Sequence, residues 1–198
     1  MPISPRRAKL HSHQPSHSIS PHSFSGCASC GTACRCPSLS SNRCAGSPAT
    51  DFSDSLLMIY LDTSAAVPLF VTEHSSDLID HWFSACDESV VSSDWIITEF
   101  ASALSIKVRA GSLSAKDATA AWRGFEAFCQ SGLRLAPVSR QTFAQAAKMV
   151  RAPAHGLRSS DALHLAAALE IGADTIATLD TAMSRNATRL RLKTVAFS

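Results

Sequence analysis

Four carboxylates occupy settings from which they could act together. Asp62 ends the apolar run 56–61 (Leu-Leu-Met-Ile-Tyr-Leu), Asp180 ends the run 175–179, Asp161 opens a helical period, and Glu99 lies in the second turn of another. Two carboxylates about 5 Å apart at an effective dielectric of about 20 repel by roughly 3 kcal/mol. Four gather only around a cation. A donor set of oxygens alone, without histidine or cysteine, selects hard ions, so Mg²⁺ or Mn²⁺ is expected rather than zinc. Such an ion points to phosphate-ester chemistry, in which it activates water, orients the phosphate and neutralises the leaving oxygen. Each of the three aspartates also has an ordinary reading: Asp161 as a helix cap, Asp180 as a turn former before Thr181, Asp62 as an Asx turn at a strand end.

What separates the two readings is whether the chain brings the acids to one place. Continuous apolar runs at 56–61, 89–92, 133–138, 175–179 and 193–197 have the pattern of strands buried on both faces. Helical periods lie between them. One begins near Ser93, expected as its N-cap, and runs through Trp95, Ile96, Phe100, Leu104 and Val108 to Gly111; another begins at Ser159 or Ser160 and ends at Gly172. The alternation predicts an α/β fold of three α/β/α layers, with a central, mostly parallel five-stranded sheet and right-handed crossovers. In such sheets ligands collect outside the carboxyl ends of the strands. Asp62 and Asp180 then share that rim, and the helix carrying Asp161 starts near it. Glu99 falls on or beside an apolar face next to Phe100, where an acid needs a partner. His164, three residues beyond Asp161, reads as a packing residue rather than a general base.

Composition limits the partners. Among 198 residues, 18 lysines and arginines oppose 16 aspartates and glutamates for a formal charge of +2, so a polyanion must be recognised locally. No apolar run approaches the roughly 20 residues of a membrane helix. Residues 1–57 hold 14 serines, six of the nine prolines and five of the seven cysteines, with neither a helical nor an alternating period. They read as a low-complexity disordered leader, and a native start at Met58 is expected. The leader lacks the apolar stretch of a secretory signal, which favours a cytoplasmic protein. Its Cys27, Cys30, Cys34, Cys36 and Cys44 make only a weak zinc pattern, since a single pair has the two-residue gap. Cys86 and Cys129 read as buried thiols.

The segment Ile59-Tyr60-Leu61-Asp62-Thr63-Ser64-Ala65 resembles the opening strand of the PIN-domain ribonucleases, and in particular of the VapC-type toxins. Thr98-Glu99-Phe100-Ala101-Ser102-Ala103-Leu104 is similar to that family's second acidic motif. The run from Leu157 through Asp161 to Ala168, followed by Gly172-Ala173-Asp174 and Thr178-Leu179-Asp180, resembles the third and fourth motifs with their separation. The resemblance covers residues 58–198.

It implies a Mg²⁺-dependent endoribonuclease (Mn²⁺ being possible) with Asp62, Glu99, Asp161 and Asp180 as metal-binding and catalytic acids, leaving a 3′-hydroxyl and a 5′-phosphate. By the same likeness Asp62 and Asp161 are the surest ligands, while Thr63, Ser64 and Thr178 hydrogen-bond to the acids. Arg158 and Arg185 are candidates for RNA phosphate contacts, with solvated surface arginines as the alternative. The implied partners are RNA, a VapB-type antitoxin and a second copy of the chain. The aromatic segments 67–83 and 122–128 either line a groove for the antitoxin helix or pack in the core. Two rivals stay open: a noncatalytic PIN-like binding module, and a metal-dependent nuclease acting on DNA.

Overall fold

A computed structural model describes residues 57–197. Residues 1–56 and Ser198 lie outside the described residues, and with them the expectations for the leader and its five cysteines. Five strands, β1 (Met58–Leu61), β2 (Ser89–Ser93), β3 (Arg134–Ala136), β4 (Thr175–Ala177) and β5 (Lys193–Thr194), form one sheet in the order β3-β2-β1-β4-β5. Every pairing is parallel. Seven α-helices connect them: α1 (Thr63–Ala66), α2 (Ser76–Ala85), α3 (Trp95–Arg109), α4 (Ala115–Ser131), α5 (Arg140–Val150), α6 (Ser159–Ile171) and α7 (Thr181–Arg189).

The central strand shows why the run at 56–61 is apolar throughout. Ile59 and Leu61 project into a cluster with residues of α1 to α4, while Tyr60 projects into a second cluster with Leu165, Ala168, Met183 and Ala187 of α6 and α7. Both faces of the sheet are covered, as parallel strands require. Helix α6 is buried from Ala162 through Ala168 on every side. Its small alanines let it pass close to the sheet and to α5, and it ends at Gly172, whose φ of 78° suits a residue without Cβ.

One expectation changes in detail. Ser93 does not cap α3. It closes β2 with its hydroxyl on Tyr60, and Asp94 takes the cap position. Of the two readings of the aromatic segments 67–83 and 122–128, core packing holds: Phe125 stacks on Phe100 with centroids 4.0 Å apart, and Phe70 packs edge-on to both. Cys86 and Cys129 are half-buried free thiols, each raised in pKa by burial and by neighbouring acidic groups. Among the described residues no helix is long and apolar enough to cross a membrane.

For the site, the strand order matters most. The chain builds outward from β1 through β2 to β3, then returns to the other side of β1 for β4 and β5. Neighbouring connections therefore diverge between β1 and β4, which opens a crevice at their carboxyl ends. Asp62 follows β1 there, and Thr178 follows β4.

Candidate functional site

Asp62 stands at that crevice, 3% exposed, with its N–H donating to Ala177 O at 3.0 Å. It is the N-cap of α1: Oδ2 accepts the Ser64 N–H at 3.2 Å and the Ser64 hydroxyl, and it also accepts from Thr178 Oγ1 at 2.9 Å. Three donors on one oxygen fix the carboxylate and leave Oδ1 to face other groups. Ser64 Oγ in turn accepts the Leu179 N–H at 2.9 Å, stitching the ends of β1 and β4 together.

Glu99 enters from α3. Its side chain is 24% exposed, and Oε2 accepts from Thr63 Oγ1 at 2.6 Å and from His164 Nε2 at 2.6 Å. Burial raises the Glu99 pKa, but the hydrogen bond and charge of His164, with the hydroxyls of Thr63 and Ser160, outweigh it and hold the carboxyl below its usual range.

His164 is fully buried. Nε2 lies 3.5 Å from Asp62 Oδ1 and 3.2 Å from Thr63 Oγ1, and Nδ1 lies 2.8 Å from the Tyr60 hydroxyl. Burial favours the neutral ring. The Tyr60 oxygen, the hydrogen bond to Glu99 and the charges of Asp62 and Glu99 prevail, pushing the pKa up to about 10. Packing alone is therefore an incomplete description of this residue. It does pack, edge-on to Tyr60 at 5.7 Å, yet it also joins the acids. A sequence signal existed: a titratable ring inside an otherwise apolar buried helix needs polar partners, and the chain's one tyrosine lies in the adjacent strand.

Among the described residues, the ligand atoms that come within 4.8 Å of one another are those of Asp62, Glu99 and His164. Nε2 of His164 is engaged by Glu99, so the oxygens of Asp62 and Glu99 are the atoms of this group open to an ion, a donor set that suits a hard divalent ion such as Mg²⁺ or Mn²⁺. Asp161 and Asp180 are not in the group. Asp161, in the first turn of α6, accepts the Arg158 N–H at 3.1 Å and the Ser160 hydroxyl at 3.3 Å. Asp180 is the N-cap of α7 and accepts the Met183 N–H at 2.6 Å. Asp180 remains tied to the rim by a short link, since Thr178 Oγ1 accepts the Asp180 N–H at 3.1 Å while donating to Asp62. Arg158, at the start of α6, and Arg185, in α7, are exposed. An apolar cleft of about 380 Å³, lined by Trp95, Phe143, Val150 and Leu163 among others, lies one turn along α3 from Glu99.

Comparison with known proteins bears on the whole arrangement. The PIN domain profile matches residues 59–188. Ribonuclease VapC45 of Mycobacterium tuberculosis is 33% identical over 115 residues, which cover 58% of this chain and 77% of that protein. Among solved structures, the M. tuberculosis toxin VapC20, which cleaves the sarcin–ricin loop, superposes with a TM-score of 0.54 at 20% identity, covering 65% of this chain and 94% of that one. The VapBC2 complex of Rickettsia felis, bound to a DNA fragment from its promoter, superposes with a TM-score of 0.51 at 16% identity, covering 72% and 100%. At these identities the two structures speak to the fold.

Proposed function

The chain belongs to the PIN-domain family and to its VapC-type ribonucleases, and from that premise we propose that it is a Mg²⁺-dependent endoribonuclease, the toxin of a toxin–antitoxin pair. The observation that carries the proposal is the convergence of Asp62 from β1, Glu99 from α3 and His164 from α6 at the crevice between β1 and β4.

Asp62 and Glu99 would hold the ion, with Asp161 and Asp180 completing the acidic rim. Mn²⁺ would serve in place of Mg²⁺. A divalent ion bound there supplies Lewis acidity toward a phosphodiester and offsets charge on the leaving oxygen. The protein's own groups do the positioning. Ser64 and Thr178 orient Asp62, and Thr63 orients Glu99, all through hydrogen bonds that set where the carboxylate oxygens face. Arg158 and Arg185, both exposed, would contact RNA phosphates and so set the register of the strand. A VapB-type antitoxin is the proposed protein partner, supported by the VapBC and FitAB complexes among the structural neighbours, and a second copy of the chain is proposed as well.

Incubating the full chain with RNA and with DNA in Mg²⁺, then repeating with EDTA and with Asp62→Asn, tests the reading. Cleavage of RNA that requires the metal and Asp62 is expected. Cleavage that survives EDTA would refute the metal dependence. Activity confined to DNA would favour a deoxyribonuclease, and none on either substrate a binding module.

A further inference from the structure

Behind the two acids that would hold the ion lie three buried polar side chains to which this reading gives no task of their own: Ser93, Tyr60 and, beside Glu99, His164. All three are fully buried. Ser93 Oγ is 2.8 Å from the Tyr60 hydroxyl, that hydroxyl is 2.8 Å from His164 Nδ1, and His164 Nε2 is 2.6 Å from Glu99 Oε2 and 3.5 Å from Asp62 Oδ1. The chain begins at the end of β2, passes through the middle of β1 and α6, and ends on the acid of α3.

Nothing in packing asks for these polar groups. Phenylalanine, leucine and alanine would fill comparable volumes without the cost of desolvating a phenol, an imidazole and a hydroxyl, and the flanking positions of α6, from Ala162 to Ala168, are otherwise apolar. The arrangement is also satisfied throughout. Nε2–H donates to Glu99. Nδ1 either accepts from Tyr60, which then accepts from Ser93, or donates to Tyr60, which then donates to Ser93. The ring keeps one orientation in both cases because each nitrogen has its own partner. Glu99 Oε2 meanwhile accepts from both Thr63 and His164, so the carboxylate cannot rotate without losing two bonds.

We propose that His164, anchored by Tyr60 and Ser93, is a positioning residue for the divalent-ion site: it sets the placement of the Glu99 carboxylate relative to Asp62 and so tunes ion affinity without itself binding the ion. The inference rests on the metal-site reading above.

The test is a Mn²⁺ titration of the full chain, without RNA, followed by the loss of the free-ion electron paramagnetic resonance signal. Because partners of a metal ligand are worth about 10–100-fold in affinity, His164→Leu is expected to weaken Mn²⁺ binding at least about tenfold. His164→Gln, whose amide reaches the place of Nε2, is expected to restore most of it. Tyr60→Phe, which keeps the aromatic ring, is expected to weaken binding in the same direction but by less than about tenfold, through a loosened imidazole. Should His164→Leu fail to fold, Tyr60→Phe with His164→Gln decides. Wild-type affinity in Tyr60→Phe and in any folded His164→Leu would overturn the proposal, as would a ¹⁴N hyperfine coupling showing Nε2 on the ion itself. No Mn²⁺ binding by the folded wild-type chain would instead overturn the metal-site reading, and this inference with it.

Discussion

Asp62 is the residue on which the site turns, because its one Oδ2 gathers three donors while Oδ1 faces the imidazole. Hydrogen-bond partners of a metal ligand contribute about 10–100-fold, so Ser64→Ala and Thr178→Val are each expected to lower RNA cleavage within that range, and Asp62→Asn by more than about 100-fold, in a single-turnover assay. The Glu99–His164 pair adds a pH dependence that belongs to the metal-free protein. Glu99 is held below its ordinary 4.5, so its contribution to stability is present above that value and is lost as the pH falls through its folded pKa. His164 is raised from 6.5 to about 10, so its contribution is complete below pH 6.5 and is lost as the pH rises toward 10. Urea midpoints measured in EDTA should therefore peak between about pH 4.5 and 6.5 and decline on the alkaline side. His164→Gln should flatten that alkaline decline; an unchanged slope would remove the ion pair from the account.

Among the elements, the helix starts decide how the acids are used. Helices α6 and α7 both begin at the carboxyl rim and place an acid in or before the first turn, where exposed N–H groups attract a carboxylate whatever else it does. Asp180 illustrates the consequence. As the N-cap of α7 it accepts the Met183 N–H at 2.6 Å, so Asp180→Ala is expected to cost about 1 kcal/mol in unfolding free energy. Asp180→Ser retains a capping oxygen and should keep most of that stability. A role in holding the ion predicts that both variants lose cleavage alike, whereas a cap alone predicts that the serine variant stays active. The same double meaning explains what the sequence could disclose. Apolar runs and glycine stops mark the strands and α6, because burial on both faces and a left-handed terminus leave direct traces in residue type. The acids at 62 and 99 are readable from their places after a strand and beside an apolar helix face. His164 is readable only as a ring in need of polar partners; which partners they are is not, since Tyr60, Glu99 and Thr63 come from distant parts of the chain and only the folded sheet brings them together. Ser93 likewise has the composition of a cap, and loses that role because Tyr60 reaches its hydroxyl first.

At the scale of the molecule, the formal charge of +2 is spread over a chain whose residues from Met58 onward hold 13 basic and 14 acidic side chains. A domain so nearly neutral, with acids collected at one rim, gives RNA no broad field to follow, and attraction must come from a few fixed cations and the bound ion. Single-stranded RNA loses about 0.7 of logarithmic slope in salt for each phosphate neutralised. If Arg158 and Arg185 each meet one phosphate, the affinity of the inactive Asp62→Asn chain for a short oligoribonucleotide, measured at fixed Mg²⁺ over a KCl series, should fall with a slope of about −1.4. Replacing either arginine by alanine should make that slope shallower by about 0.7, with little change in which sequences are bound, because a phosphate contact positions the strand and does not read its bases. A slope near −5, left intact by both substitutions, would mean that many other cations grip the RNA and that these two arginines are ordinary solvated surface.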